Sequence, residues 1–327
     1  LAAIDTAAAS TKAAEFLASP DAKDDLTELY AAFISKKGGA AALAKALDGK
    51  KLSADVAKLG VRAIKASTAQ DAGTLEAALA KAGGLGVAKK PVTPDEVKAL
   101  LADVGAIGDA ARGEAIFRRK ELQCMACHAY GGAGGQVGPD LTSIGASAQP
   151  DYLVESLLLP NKAVKEGYNA IRVVTADDKV FLGRALREGN GQLLLLTPED
   201  KQITIPTADI VERGNTKSIM PEALTDPLTK QEFADLARFL SELGKVGPYA
   251  PSKARVVRRW QLIEPTPQNM GLARTTRLAA AAEANNAFAW SPLYSKVSGD
   301  LPVAELPKLV VWNGNDPLAV VRFQLDV

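Results

Sequence analysis

Both cysteines and the only histidine of this chain lie within five consecutive residues, Cys124-Met125-Ala126-Cys127-His128. A single histidine excludes every site that needs two imidazoles, such as a multi-histidine zinc site. Two cysteines allow at most one disulfide, and they cannot supply the four thiolates of an iron–sulfur cluster. The chemistry of these scarce residues is therefore one that uses all three together.

The C-x-x-C-H spacing is the one at which haem is attached covalently. Two thiols at this spacing, near the start of a helix, reach the two vinyl-derived carbons on one haem edge, and the adjacent imidazole turns toward the iron. A thioredoxin-like redox pair is the alternative, but it needs a βαβ context and leaves His128 unexplained. A zinc site needs more ligands than this segment has. We predict one haem c, attached through Cys124 and Cys127, with His128 as proximal ligand.

A methionine is the candidate for the second axial ligand, and the chain has three. Met125 lies between the cysteines, on the same side as the histidine, and cannot cross the ring. Met220 precedes Pro221, which holds the backbone before it extended, and an amphipathic pattern over 228–240 follows. Met270 has neither feature. We therefore predict Met220 as the ligand, with an ordinary core methionine as the alternative.

The motifs around these residues resemble a class I-type cytochrome c. The C-x-x-C-H residues 124–128 are called the haem motif below. The match consists of Gly113-Glu114-Ala115-Ile116-Phe117 before this motif, Gly138-Pro139-Asp140-Leu141 after it, the Met220-Pro221 loop and a Leu-rich final helix. In that family a helix with a glycine and an aromatic residue crosses the final helix near the haem. The matching positions here are Gly113, Phe117, Leu236 and Phe239.

The resemblance also implies roles for residues after the haem motif. The carbonyl of Pro139 is expected to accept a hydrogen bond from Nδ1 of His128, which orients the ring and makes it a better donor to iron. Pro139 and Leu141 are thus candidate haem-binding residues. A plain turn is the alternative interpretation of Gly138-Pro139.

A β insertion separates the two predicted axial ligands, which lie 92 residues apart. Short apolar runs punctuated by turn residues predict hairpins within 168–217. Removing this stretch leaves a gap typical of a small cytochrome. The arrangement is similar to the haem-binding domain of large multidomain proteins from planctomycete and verrucomicrobial bacteria, in which helical repeats precede a cytochrome c domain with a β insertion.

The two flanks differ in character. Residues 1–107 are rich in Ala and Lys and show apolar residues at helical spacing between Gly and Pro interruptions, which predicts five or six short helices. They resemble the degenerate helical repeats of the same family. Their role is either that of a docking scaffold or that of a structural cap. Residues 247–327 contain all three tryptophans and predict a β-rich accessory segment. We expect polypeptide to follow Val327, because the chain stops within a predicted strand.

Charged residues near these regions have two interpretations each. The cluster Lys253, Arg255, Arg258 and Arg259 is either a docking site for an acidic redox partner or anionic glycan, or a solvated strand face. Arg118, Arg119 and Lys120 either meet the haem edge or a propionate, or lie on the surface. The tryptophans are expected in the core rather than exposed for carbohydrate binding.

The predicted fold is therefore mainly α with β parts. It comprises a helical repeat-like region at 1–107, an all-α cytochrome c core at 108–246 with a β insertion at about 168–217, and a β-rich segment at 247–327. Lys plus Arg number 39 against 38 Asp plus Glu, so we expect no nucleic-acid partner. No apolar stretch reaches the roughly 18 residues of a transmembrane helix.

Electron transfer is the favoured function, because an iron with His and Met ligands has no open site for substrate. The expected partner is a redox protein such as a separate or fused dehydrogenase, and the flanks are candidates for polysaccharide or protein contacts. The alternatives are a haem peroxidase or ligand sensor with a labile distal ligand, and a binding scaffold with an accessory haem. The chain is thus expected to be an electron carrier more than a catalyst. Thioether haem attachment implies a periplasmic or other extracytoplasmic location in bacteria, and a start at Leu1 without a leader pattern indicates a processed chain.

Overall fold

The protein has a mixed α/β structure made of two compact units. The computed structural model describes residues 5–19, 22, 26–67, 72–86, 91–250, 255–276, 278–283, 287–310 and 317–323. One unit consists of Leu1–Gly108 with Ala223–Asp235, and the other of Asp109–Glu222 with Leu236–Val327. In the described ranges, no helix has both the length and the apolar character needed to cross a membrane.

Six short helices form the described part of the first 107 residues. They are α1 (Thr6–Leu17), α2 (Thr27–Ile34), α3 (Gly39–Ala46), α4 (Ala54–Ala66), α5 (Gly73–Ala82) and α6 (Pro94–Ala106). Polar caps begin several of them: the side chains of Asp5 and Ser53 accept backbone N–H groups, and Thr93 and Glu96 form a reciprocal capping box. Caps of this kind satisfy N–H groups that a helix leaves unpaired at its start.

Helices α2, α4 and α5 pack around Tyr30, which is fully buried. The Tyr30 hydroxyl donates to the carbonyl of Val56 in α4, at 2.9 Å. Gly60 allows this approach, since a Cβ there would lie 2.7 Å from both the Tyr30 ring and the side chain of Leu79. The helical unit therefore has its own specific core, as a separate domain needs.

Residues 223–235 belong to this helical unit, although the sequence places them in the cytochrome region. Lys58 Nζ donates to the carbonyl of Leu228 at 2.6 Å, and Arg62 forms a half-buried ion pair with Glu232, also at 2.6 Å. Thr229 and Glu232 exchange capping hydrogen bonds at the start of α11 (Lys230–Glu242). Through these contacts the first turn of α11 and the residues before it bind to α4.

The second unit begins with the helix that contains most of the haem motif and with the helices and the hairpin on either side of it in the sequence. They are α7 (Ala110–Phe117), α8 (Cys124–Cys127), β1 (Ala129–Tyr130), β2 (Ala133–Gly134), α9 (Ile144–Ser147) and α10 (Pro150–Leu158). Strands β1 and β2 pair antiparallel immediately after the motif. The rest of α11, from Leu236 onward, also belongs to this unit.

A five-stranded antiparallel sheet follows, as the alternation of apolar and turn residues predicts. Its strands are β3 (Ala170–Thr175), β4 (Val180–Gly189), β5 (Gln192–Leu196), β6 (Gln202–Pro206) and β7 (Ile210–Asn215), in the order β6-β5-β4-β3-β7. Asn190 and Gly191 both have positive φ and close the β4–β5 hairpin, which is the geometry a two-residue hairpin prefers. One face of the sheet buries Ile171, Val173, Leu193, Leu195 and Ile205.

The last segment contains a helix that the β-rich prediction missed. Its elements are β8 (Arg259–Ile263), α12 (Pro267–Thr276), β9 (Trp290–Tyr294) and β10 (Val321–Arg322), with the strands in the order β10-β8-β9. Pro267 takes the first position of α12, where its missing N–H costs no hydrogen bond. The sequence pattern concealed this helix because Pro265 and Pro267 flank its start.

The tryptophans that the structure describes are half-buried and engaged within this segment. Trp260 Nε1 donates to the Val257 carbonyl and to Ser295 Oγ. The guanidinium of Arg322 lies 3.9 Å from the centre of the Trp290 ring. Trp312 and Lys253 lie outside the described residues.

We expect Tyr30→Phe to destabilise the helical unit by about 1 kcal/mol, because it removes the buried hydrogen bond to the Val56 carbonyl. Tyr152→Phe is the matched control, since Tyr152 is 38% exposed. Urea unfolding followed by circular dichroism measures both. Equal midpoints for the two variants would contradict this role of Tyr30.

Candidate haem site

The haem motif occupies one short helical turn. Gln123 precedes it with a φ of +52°, and α8 then runs from Cys124 to Cys127. The backbone N–H of His128 donates to the Cys124 carbonyl at 2.8 Å, and His128 itself is extended. The turn thus presents both thiols and ends at the imidazole.

The glycine-rich segment after the motif folds back onto this turn. Gly135 N–H donates to the Met125 carbonyl at 2.9 Å, and Gly138 N–H donates to the Cys127 carbonyl at 2.7 Å. A Cβ at Gly135 would lie only 1.9 Å from the carbonyl oxygen of Ala126. No other residue type fits so close to backbone. Sequence reasoning missed this role, and the density of glycines over 131–138 was the signal.

The His128 imidazole is fixed at one nitrogen. Nδ1 lies 2.8 Å from the Pro139 carbonyl, which is the hydrogen bond that the cytochrome resemblance implies. Gly138 packs against the ring, since a Cβ there would lie 2.5 Å from Cε1. Within the ranges that the structure describes, Nε2 makes no hydrogen bond. The bond to Pro139 therefore fixes the tautomer that leaves a lone pair on Nε2.

Burial lowers the pKa of His128 below its ordinary value, while the Pro139 bond and the charge of Asp140 oppose that shift. A lowered pKa keeps the imidazole neutral at physiological pH, and the neutral form is the one that ligates a metal. The electrostatics of the site therefore favour His128 as a ligand.

The two cysteines are free thiols and are partly exposed. Burial raises the pKa of Cys124 to about 12. Burial also raises the pKa of Cys127, and the negative charge of Asp200 adds to this effect. Redox-active C-x-x-C pairs instead have lowered thiol pKa values. The site is thus unlike a thioredoxin-type pair.

Aromatic rings pack beneath the motif where the cytochrome resemblance predicts a helix crossing. The rings of Phe117 on α7 and Phe239 on α11 have centroids 5.6 Å apart. Tyr130, two residues after His128, lies 5.8 Å from Phe117 and 6.1 Å from Phe239. All three are fully buried, so this cluster, the aromatic base of the unit, joins α7 and α11 to β1, the strand that follows the motif.

A buried polar network joins this base to the C-terminal segment. The Glu114 carboxylate accepts the Val297 N–H at 2.7 Å and lies 3.4 Å from the Tyr130 hydroxyl. Arg118 donates to the carbonyls of Tyr294 and Ser295, at 2.6 and 3.0 Å. Because the Arg118 guanidinium binds these backbone groups, its role is internal rather than the solvent-exposed one weighed for it.

Two members of the basic cluster, for which a docking site and a solvated strand face were both open, also bind backbone. Arg258 donates to the carbonyls of Lys296 and Val297. Arg259 donates to the carbonyls of Gly132 and Gly134, at 3.0 and 2.9 Å. The Arg259 guanidinium therefore supports the loop after the haem motif, whereas Arg258 holds the C-terminal segment. Lys120, for its part, forms an ion pair with Glu264.

Met220 lies on a loop of the same unit as His128. Its N–H donates to Ser218 Oγ at 3.2 Å, and Ser218 N–H donates to Asn161 Oδ1 at 2.7 Å. Asn161 and Lys217 both donate to Glu222. The loop is thus held in place by residues just after α10, but none of these hydrogen bonds joins it to the haem motif.

The other predicted residues have clear positions. Met270 is on α12 and packs against a cluster that contains Ile263, Phe288 and Leu309. Leu141 is half-buried, and its N–H donates to the Ala129 carbonyl at 2.7 Å. No group of three or more His, Cys, Asp or Glu side chains able to hold a metal ion is found among the described residues.

The site fits a covalently bound haem. It offers two free thiols at C-x-x-C spacing and an imidazole that is held at Nδ1, with Nε2 unbonded among the described residues. Residues 108–172 match the sequence family described as cytochrome c oxidase, cbb3-type, subunit III. The match covers about a fifth of the chain and ends at β3 of the insertion. No curated protein matches the chain.

The chain therefore contains a cytochrome c haem-binding domain. Such a domain carries haem c and transfers electrons through it,.

Gly138→Ala should displace the His128 ring, because the new Cβ has no room beside Cε1. We expect a loss of stability of about 1–3 kcal/mol, typical of overpacking, and a lower yield of protein with covalent haem. Gly214→Ala is the control, since a Cβ there meets nothing within 4 Å. Haem stain intensity per mole of protein and urea unfolding measure the effect. Wild-type haem content and stability in Gly138→Ala would contradict it.

Proposed function

We propose that this chain transfers single electrons through one haem c whose axial ligands are His128 and Met220. The observation that carries the proposal is the fixed His128 ring, with its Nδ1 bonded to the Pro139 carbonyl at 2.8 Å. That bond holds the proton on Nδ1 and leaves a lone pair on Nε2, as a proximal ligand requires. Haem bound in this way supplies a one-electron couple.

The residues around the motif support this role by limiting motion. Gly135 and Gly138 bond to carbonyls of the C-x-x-C turn, and Phe117, Tyr130 and Phe239 pack beneath it. A rigid site keeps the geometry of oxidised and reduced states similar, which lowers the reorganisation that accompanies electron transfer. Pro139 then acts as the positioning residue for His128.

Met220 is the methionine whose position best suits the second ligand. Met270 packs in the C-terminal core, and Met125 is buried between the two cysteines. Met220 is half-buried on a loop that Asn161 anchors through Ser218. A neutral thioether ligand favours the reduced iron and raises the reduction potential, which suits an electron relay.

The proposal extends to context. The order of a helical region, a haem motif and a β insertion supports an origin like that of the planctomycete and verrucomicrobial multidomain proteins. We propose that the donor or acceptor is a dehydrogenase, separate or fused, and that the flanking regions contact protein or polysaccharide. Thioether attachment supports an extracytoplasmic, periplasmic location.

Replacement of Met220 tests the ligand assignment. Oxidised haem with His and Met ligands shows a weak long-wavelength absorption band, and we expect Met220→Ala to lose it. The potential should fall, and cyanide should bind faster, because the sixth position is then open. Met270→Ala is the matched control and should leave the band unchanged.

Two results would contradict the proposal. Survival of the band in Met220→Ala would exclude Met220 as ligand. Rapid cyanide binding by the wild-type ferric protein, together with peroxide turnover, would favour a peroxidase or a ligand sensor. Absorption spectroscopy follows the long-wavelength band, stopped-flow mixing gives the rate of cyanide binding, and spectroelectrochemical titration gives the reduction potential.

A further inference from the structure

The β insertion bonds directly to the loop that orients His128. The backbone N–H of Gln136 donates to Oδ1 of Asp200, in the β5–β6 turn, at 3.3 Å. The carbonyl of the same residue accepts a hydrogen bond from Nη2 of Arg184, on β4, at 2.8 Å. The insertion therefore holds both the backbone N–H and the backbone carbonyl of Gln136. It does so although the sheet forms a separate apolar core of its own.

Gln136 lies at the centre of the segment that fixes the imidazole. Gly135, just before it, bonds to the Met125 carbonyl, and Gly138, two residues later, bonds to the Cys127 carbonyl and packs on the His128 ring. A displacement of Gln136 therefore reaches the ring within two or three residues, through backbone that has little freedom.

Arg184 is itself held in place. Its guanidinium lies 4.3 Å from the centre of the Tyr168 ring, a stacking geometry that orients the planar group. The side chain is half-buried. The hydrogen bond to Gln136 thus comes from a donor with limited freedom, which reduces the entropy lost when it forms.

The insertion contains an internal comparison for Asp200. Two turns have the same form, Thr175-Ala176-Asp177-Asp178-Lys179 and Thr197-Pro198-Glu199-Asp200-Lys201. In each turn the Thr N–H donates to the Lys carbonyl, and the N–H of the fourth residue, Asp178 or Asp200, donates to the Thr carbonyl. Asp178 and Asp200 have φ values of +61° and +59°. The turns differ in that Asp200 contacts Gln136, in the glycine-rich segment over 131–139 that is called the haem loop from here on.

We propose that the β insertion is a clamp on the haem loop, in which Asp200 and Arg184 are positioning residues for the proximal histidine. The proposal rests on the proposed role of His128 as iron ligand. A loop held at both polar groups of Gln136 keeps the Pro139 carbonyl at its distance from Nδ1 of His128. The insertion thereby acts on the haem through backbone, without contributing a ligand.

Amide hydrogen exchange of the purified full chain tests the clamp. We expect Asp200→Ala to accelerate exchange over residues 131–139 by about two- to tenfold, the effect of losing one ordinary hydrogen bond. Asp200→Asn keeps an acceptor oxygen and should restore slow exchange. Asp178→Ala introduces the same residue at the same positive φ and should leave this segment unchanged.

The reduction potential is the readout that a merely structural role would not move. We expect Asp200→Ala to shift the midpoint potential relative to Asp200→Asn, because both variants lack the negative charge that acts on Cys127 and only Asp200→Asn keeps the acceptor oxygen. Arg184→Gln should also shift the potential, whereas Asp178→Ala and Arg213→Gln should not. Arg213 is a suitable control because its ion pair with Glu188 lies within the insertion. Spectroelectrochemical titration measures the shift.

The clamp is wrong if Asp200→Ala and Asp178→Ala exchange equally over 131–139, or if Asp200→Asn is as fast as Asp200→Ala. Faster exchange without a shift in potential would overturn the link to His128. Absence of haem would instead overturn the proposed function, and the exchange comparison would still test the clamp. The two failures are therefore distinguishable.

Discussion

The hydrogen bond between Nδ1 of His128 and the Pro139 carbonyl is the contact on which the haem site depends. It joins the end of a one-turn helix to a loop eleven residues away. The loop reaches that position because Gly135 and Gly138 bond to carbonyls of the same helical turn. The bond therefore exists only while the glycine-rich segment is folded, and it determines that Nε2 is the nitrogen that keeps a lone pair.

The surroundings of this loop come from elements beyond the small cytochrome core. Arg259 of the C-terminal segment binds the carbonyls of Gly132 and Gly134, and Asp200 and Arg184 of the β insertion bind Gln136. Glu114 and Arg118 connect the base of the motif to 294–297. A loop with so few side chains of its own gains its rigidity from neighbours that hydrogen-bond its backbone.

Local patterns predicted much of this structure, and tertiary contacts account for what they missed. Apolar runs between turn residues predict the hairpins of the insertion, because each strand is encoded by adjacent residues. Strands β4 and β7 continue beyond their apolar runs into polar residues, which pair with neighbouring strands through backbone. The Nδ1 bond of His128 to Pro139, eleven residues away, was implied by the cytochrome c resemblance. The roles of Arg118 and Arg259 depend on partners more than 120 residues away, and no local pattern encodes these pairs. Helix α12 was missed because prolines at a helix start also mark loops.

The proposed function requires that Cys124 and Cys127 hold one haem through thioether bonds. Intact-mass analysis of the denatured full chain, with a pyridine haemochrome spectrum of the same sample, tests it most directly. We expect a mass increase of one haem that survives denaturation, a c-type haemochrome, and loss of both in the Cys124→Ala, Cys127→Ala double variant. A chain that carries no covalent haem when produced with a haem-attachment system would contradict thioether attachment at this site.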